Sequence, residues 1–549
     1  MRLDKELFRS LSLLGMVLGL IFFAASLTPS LMPRSYLVQG LLSGISAGVG
    51  YMIGTALTWL WIYLQLPVPK RSLKLARWSI GIACLLLCLA ALWHATFWQN
   101  SIRILWKMPP IASADPYWLA AVAAVTFLIA LIVGRLFRVA SLLFSQWLAR
   151  VVPRRLSKVI GALIAVALFW SIGQGILLRF ALDTADASFK QADALIEDDQ
   201  PMPQADMKTG SSASLVAWQG LGRQGRYFVA SGPGAGNISS FWNGPAKQPL
   251  RIYVGLNNAE TSKERAALAL KEMIRQGAFD RSMLVVIVPT GTGWIDPAAV
   301  DTLEYVQHGD VASVAVQYSY LTSWMSLLFE PQQGEETATD LFDTVYGYWS
   351  KLPRDKRPKL YLHGLSLGAM NSQLSLDIYN VIGDPVNGAL WSGPPFRSVR
   401  WKAATAARSP GTPEWLPRFR DGSVIRFANQ EHAPDQFAAP WGPLRVIYLQ
   451  YASDPVVFFD AASAFREPDW MKAPRGPDVS PELTWIPVVT MLQLLFDMMI
   501  ATTSPIGYGH IYAPQHSIDC WVSLTDAQIS PEDLTRLKSL FAARFGMTN

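Results

Sequence analysis

Apolar residues fall into two regimes along the chain. Before about residue 182 they form long, nearly unbroken runs, and after it they form short runs separated by polar stretches of helical period. Five early runs, at about 11–31, 36–64, 78–98, 117–137 and 160–178, reach the ~20 residues that a helix needs to cross a bilayer. The first exceeds the roughly 7–15 apolar residues of a cleavable signal and is followed by four more, so it reads as a span. In span two, Gly40, Gly44 and Gly48 share one helical face, where small residues let helix backbones approach closely. Packing within the chain is the preferred reading of that stripe, and a homo-oligomer contact is the less favoured one. The stretch ending in Trp147 and Arg150 suits a helix lying in the cytoplasmic interface.

Charge between the runs alternates. Arg2, Lys5 and Arg9 precede span one; Lys70, Arg71, Lys74 and Arg77 separate spans two and three; Arg135, Arg138, Arg150, Arg154, Arg155 and Lys158 precede span five. The other loops hold only Arg34, or Arg103 and Lys107, and Arg179 leaves the fifth span. By the positive-inside rule the N-terminus is cytoplasmic, and after an odd number of spans everything past residue 182 lies outside.

Residues 183–214 change to Asp, Ala, Gln, Pro and Ser, the composition of a linker. From 215 to 549, β-rich runs at 251–256, 283–289, 311–318, 359–363, 388–391 and 445–451 alternate with helical periods at 262–276, 298–307 and a stretch ending near Lys351. That alternation predicts a mostly parallel sheet covered by helices on both faces.

Composition narrows the partners. The chain has 549 residues, of which 51% are hydrophobic and 16% charged; disorder is excluded and a wholly soluble protein is disfavoured. The net charge of +6 is accounted for by the loops flanking the spans, so it indicates anionic headgroups and no nucleic acid partner. Three cysteines are too few for a disulfide scaffold or a four-thiolate zinc site. No His pair has ligand spacing with a carboxylate, so neither metal nor cofactor is expected.

The chemistry centres on Gly364-Leu-Ser366-Leu-Gly368, which follows a strand directly and precedes a helical stretch. A serine on such a sharp strand-to-helix turn projects its Oγ above the sheet, and the flanking glycines make room for crowded backbones. The pentapeptide alone is weak, expected by chance roughly 0.2 times in a chain this long. Gly44-Ile-Ser46-Ala-Gly48 is the chance copy, inside an apolar run with no strand before it. An activated serine needs a base, and the base an orienting acid, in the chain order Ser, Asp or Glu, His. Asp454, in Ala452-Ser-Asp-Pro455 after the run 445–451, is the candidate acid, with a plain Asp-Pro turn as the alternative. His510 is the preferred base, with His516 as competitor or second donor. The oxyanion hole is expected from the Leu367 amide and from Gly291, Thr292 and Gly293 after the run 283–289. That glycine turn lacks the Gly-Lys-Ser/Thr ending of a phosphate loop. Tyr318 and Tyr320 are candidates for the pocket or the core. Residues 485–500 read equally as a buried core helix or a lipid-facing lid, and Asp497 within them as part of a polar network or a receiver of a cationic group.

Together, Gly225–Pro233, Pro289–Pro297 (with Trp294), Gln317–Tyr320, Gly364–Gly368, Ser453–Val456 and Gly509–Tyr512 resemble the bacterial membrane-bound α/β-hydrolases. In that group a multi-span N-terminal region precedes a C-terminal hydrolase domain. Relatives often carry Glu before the nucleophile, where this chain has Leu365. With the runs and loop charges above, the expected organisation is a five-span all-α transmembrane bundle over 1–182, a linker over 183–214 and an extracytoplasmic α/β-hydrolase domain over 215–549. The resemblance implies a serine esterase of the bacterial plasma membrane that acts on a lipid ester at the outer leaflet. Some similar enzymes are thought to remove amino acids from aminoacylated phosphatidylglycerol. A phospholipase, a lipid acyltransferase or a lipid-binding protein with a vestigial hydrolase fold are the rival readings.

Overall fold

A computed structural model describes residues 11–67, 74–171, 193, 201–321, 325–326, 331–436 and 439–547. The chain forms two compact units, one of residues 1–184 with 459–472 and 477–500, the other of 185–458, 473–476 and 501–549. A boundary at residue 215 therefore does not separate them, because two C-terminal segments belong to the helical unit. The helix Val489–Met499 explains this: it buries Val489, Leu492, Leu494 and Asp497, and Asp497 pairs with Arg34 at 2.8 Å. The segment is thus buried within the helical unit and is not a core helix of the hydrolase unit.

Helices Leu13–Ser26, Tyr36–Tyr63, Lys74–Leu105, Pro116–Leu148 and Arg154–Trp170 make up the first unit. Among the described residues three of them, not five, are long and apolar enough to cross a membrane, within Tyr36–Tyr63, Trp78–Leu105 and Pro116–Leu148. The first expected span is shortened at both ends. Ser12 caps it by accepting from the Gly15 amide, and it ends at Ser26, just before Thr28-Pro29, where proline disfavours α geometry. At ~1.5 Å per residue such a helix is about 21 Å long, against a ~30 Å hydrocarbon core. The fifth helix has 17 residues, and the rest of the expected span, with Arg179, lies outside the described residues, as do Arg2, Lys5, Arg9, Lys70 and Arg71. No break creates an interfacial helix at Trp147, since Pro116–Leu148 is continuous.

Glycines decide how this unit packs. A Cβ on Gly44 would lie 2.5 Å from Thr126 Cβ, and one on Gly40 2.7 Å from Val122 Cβ, so the stripe seats Tyr36–Tyr63 against Pro116–Leu148. Gly50 and Gly54 do the same toward Leu18 and Leu14 of the first helix, at 2.5 and 2.6 Å from their carbonyl oxygens. Between them Ser26 donates to Ser43, and Gln39 Nε2 donates to the Ser26 carbonyl.

The second unit is built on a seven-stranded sheet, β1 Leu250–Val254, β2 Met283–Val288, β3 Val311–Val316, β4 Lys359–Leu365, β5 Gly388–Ser392, β6 Ile425–Ala428 and β7 Arg445–Leu449. Its order is β1-β3-β2-β4-β5-β7-β6, and every pairing is parallel. The central strands are buried along their length, as a sheet covered on both faces requires. One cover includes Pro297–Val306, Pro514–Thr525 and Pro531–Arg544, joined through Tyr305, Ile518, Leu537 and Phe541. Ser262–Arg275, Pro331–Trp349 and Leu367–Ser375 pack with one another as a separate group. The short β6 escapes sequence reading because Arg426 interrupts its apolar run of four. Most of the expected linker lies outside the described residues, but its end is not free: Thr209 Oγ1 donates to the Arg251 carbonyl and Ser214 Oγ to Glu272.

Candidate active site

Parallel pairing brings the carboxyl ends of all seven strands to one edge of the sheet, where ligands of open α/β folds bind. Ser366 stands there, between β4 and the helix Leu367–Ser375, at φ 56° and ψ −125°. Its flanking glycines are sterically required: a Cβ on Gly364 would lie 2.4 Å from the Gly368 carbonyl carbon, and one on Gly368 2.1 Å from the Val288 oxygen. The Ser366 amide donates to the Ser392 carbonyl at the end of β5. Strain of this kind, of order 1–3 kcal/mol, is held by the surrounding packing.

Asp454 follows β7, which is third after the serine in chain order but second from β4 across the sheet. The carboxylate is fully buried, and Oδ1 accepts the Val456 amide at 2.9 Å. His510 comes from the loop between Gly507 and Ile511, closed by the Gly507 amide on the Ile511 carbonyl. The Gly509 amide donates to Ser453 Oγ, tying the histidine loop to the acid loop. His510 Nδ1 meets Asp454 Oδ2 at 2.6 Å. With Nδ1 as donor, the lone pair sits on Nε2, which is buried and has no hydrogen-bond partner among the described residues.

Gly393 links the histidine to the serine. It directly follows Ser392, and a Cβ on it would lie 2.8 Å from His510 Cε1. The structure therefore joins Asp454 to His510 and brings Ser366 to the same strand end, while the Ser366–His510 hydrogen bond is not closed. Catalytic hydrogen bonds often tighten only around substrate.

The competing histidines are engaged elsewhere. His516 Nδ1 lies 2.6 Å from the Tyr451 hydroxyl, and burial pushes its pKa down to about 4. His363 is likewise lowered to about 4 by burial and bonds the Leu390 carbonyl, and His432 turns to Asn429.

The expected oxyanion donors separate. Leu367 opens its helix, so its amide is among the donors that a helix leaves without an internal acceptor. Gly293 is not available: its amide donates to the Thr290 carbonyl, closing the turn at φ +85°, while Tyr253 donates to its oxygen. Gly291 and Thr292 belong to the same loop, and the Thr292 carbonyl accepts from Gln317 Nε2. Tyr318 packs with Leu367, Val288 and Met370 in the core beside the serine, whereas the Tyr320 hydroxyl donates outward to Asn257. Trp294 is half-buried and accepts the Thr290 amide. Asp497 lies in the helical unit, saturated by Arg34 Nε, Ser30 Oγ and the Leu31 amide.

Two residues at this edge escaped the sequence reading. Tyr512 donates to Asp454 Oδ2 at 2.6 Å. Asp296 caps the helix Pro297–Val306 by accepting the Ala298 amide. Burial raises Asp296 to about 7, with nearby Asp301 pushing the same way and the Ala298 bond and His510 opposing. Asp-Pro explains the cap by itself, which hid any second role. Among the described residues no cluster of three or more His, Cys, Asp or Glu side chains is arranged to hold a metal.

An elbow serine and an Asp–His pair at the carboxyl edge of a parallel sheet define the α/β-hydrolase class of site. The chain belongs to the Alpha/beta-hydrolase family: the family's profile matches residues 250–537, and that of its N-terminal region matches residues 27–233. No curated protein and no solved structure matches. Family membership makes the protein a hydrolase.

Proposed function

We propose that the protein is a serine esterase that cleaves an ester of a membrane lipid, best an aminoacylated phospholipid such as aminoacyl-phosphatidylglycerol. Ser366 Oγ attacks the ester carbonyl while His510 Nε2 takes its proton. Asp454 holds the imidazole in the required tautomer and stabilises its cation. The Leu367 amide, with Gly291 or Thr292 opposite, receives the oxyanion. His510 then returns the proton to the leaving alcohol, and water repeats the sequence on the acyl-serine. The observation that carries this reading is the 2.6 Å bond from Asp454 to His510 Nδ1, which leaves Nε2 unpartnered beside the serine turn.

The lipid substrate is supported by three helices long enough to cross a bilayer, with Trp78, Trp93 and Tyr117 more than 70% exposed on the helical unit. Asp296 favours an aminoacyl ester over a plain acyl one. A bound ammonium would supply countercharge to this desolvated carboxylate. Placement of the hydrolase unit outside follows from a cytoplasmic N-terminus only if the number of crossings before it is odd. Protease access to the unit in intact cells tests that.

A fluorophosphonate probe tests the chemistry. Wild type should label and Ser366→Ala should not; a folded wild type that stays unlabelled rejects the triad. Mass spectrometry of lipids from cells carrying either form then identifies the substrate, which should accumulate with the alanine variant. If no lipid accumulates, the lipid ester is wrong.

A further inference from the structure

From the hydrogen bonds around Asp454 we infer that Tyr512 is a positioning residue: its hydroxyl sets both the orientation and the basicity of the His510–Asp454 pair. The inference rests on the serine-hydrolase reading for its catalytic consequence, but not for its geometry.

The carboxylate is held at both oxygens. Oδ1 accepts the Val456 amide, and Oδ2 accepts two donors, His510 Nδ1 and the Tyr512 hydroxyl, each at 2.6 Å. A second donor on the oxygen that faces the imidazole draws charge away from it. Imidazolium formation is then less favoured than beside an undivided carboxylate. The phenol cannot share this duty as an anion, because burial and the neighbouring Asp454 raise it well above the ordinary tyrosine range. It acts as a neutral donor.

Packing shows that the hydroxyl is aimed. The ring of Tyr512 is 3% exposed and stacks on Tyr451 with centroids 4.4 Å apart. Tyr451 is itself fixed, accepting the Ala513 amide and pairing with His516. On the other side the backbone at Gly393 closes in: a Cβ there would lie 2.9 Å from the Tyr512 hydroxyl. The titratable groups around His510 are thus Asp454, Tyr512 and Asp296, with Tyr451 and His516 behind.

Tyr512→Phe keeps the ring stack and removes the donor. In the full chain in detergent, histidine-labelled NMR should show the His510 titration midpoint moving up by about 0.5–1 pH unit. His510→Gln assigns the resonance, and Asp296, present in both proteins, cancels in the difference. The acid limb of p-nitrophenyl acetate hydrolysis should move by the same amount. At its plateau kcat should fall about 10- to 100-fold, the loss expected for a hydrogen bond to a charged group, with KM little changed. Tyr451→Phe, which removes a hydroxyl without touching Asp454, should leave the midpoint in place. An unmoved midpoint in Tyr512→Phe overturns the inference. A moved midpoint without any effect on ester turnover upholds it and counts against the triad. Should Tyr512→Phe not fold, 3-fluorotyrosine at position 512, a stronger donor, must lower the midpoint, and a failure to lower it overturns the inference equally.

Discussion

Each unit buries charge, and the two do it differently. In the helical unit Arg34 and Asp497 are fully buried, and the pair is closed on all sides. Asp497 accepts from Arg34, Ser30 and the Leu31 amide, while Arg34 also donates to Gln39 and Ser30. The hydrolase unit holds Asp454 and His510 as deeply, yet one nitrogen, Nε2, has no partner among the described residues. Arg251, clamped by Glu304 and Asp301 in the same unit, is of the closed kind. A closed pair fixes how segments pack, and an open one keeps a lone pair for chemistry. The polarity of the surroundings differs as well. Large apolar side chains from Met52 to Trp170 are exposed on the helical unit, while the buried face of Tyr36–Tyr63 is mostly glycine, serine and glutamine, beside Leu42 and Ala47. That inversion suits a bilayer, where small and polar residues join helices.

The largest expected effect is on the open pair. Asp454→Asn should lower kcat by about 10⁴-fold, since an amide favours the wrong imidazole tautomer. Turnover of p-nitrophenyl acetate measures it, and a loss below tenfold would remove Asp454 from the mechanism.

The closed pair should answer in stability. Asp497→Ala strands a buried guanidinium and should cost about 3–5 kcal/mol, whereas Arg34→Met with Asp497→Leu should recover most of that loss. Thermal unfolding in detergent compares them. If the single and double variants lose stability alike, the pair contributes more than mutual compensation.

Asp296 gives the smallest effect and a sign. Its folded pKa of about 7 lies above the ordinary 3.8, so folding favours the protonated acid. That contribution is complete below the unfolded value and disappears as pH rises through about 7. Asp296→Asn caps the helix equally well and carries no such ionisation. Its Tm should match wild type near pH 4 and exceed it by a few degrees above pH 7. A difference that does not change with pH would mean that Asp296 is solvated. With an ammonium-bearing ester, the same variant should lose affinity while a neutral ester is unaffected.

Much of the fold was legible because its rules are local. Six of the strands follow from short apolar runs between polar stretches, and Ser262–Arg275 shows its start in the capping box of Thr261 and Glu264. The elbow is legible because only glycine tolerates the contacts at 364 and 368. Span counting failed where apolar composition outran helix geometry: proline at 29 ends a helix that hydrophobicity alone would continue. The loop expected to hold oxyanion donors was half legible, since a glycine-rich turn shows where amides cluster and not which of them the turn uses for itself. Gly293 spends its amide on Thr290.

By itself the sequence determined the two regimes, the strand–serine–helix turn and the order Ser366, Asp454, His510. These depend on the apolar period and on sterics within a few residues. Only the tertiary structure decided that His510 rather than His516 meets Asp454, and that 477–500 joins the N-terminal helices. It alone placed Tyr512 and Asp296 at the site. Those choices follow from strand order and from contacts between residues tens to hundreds of positions apart, where no local period carries the information.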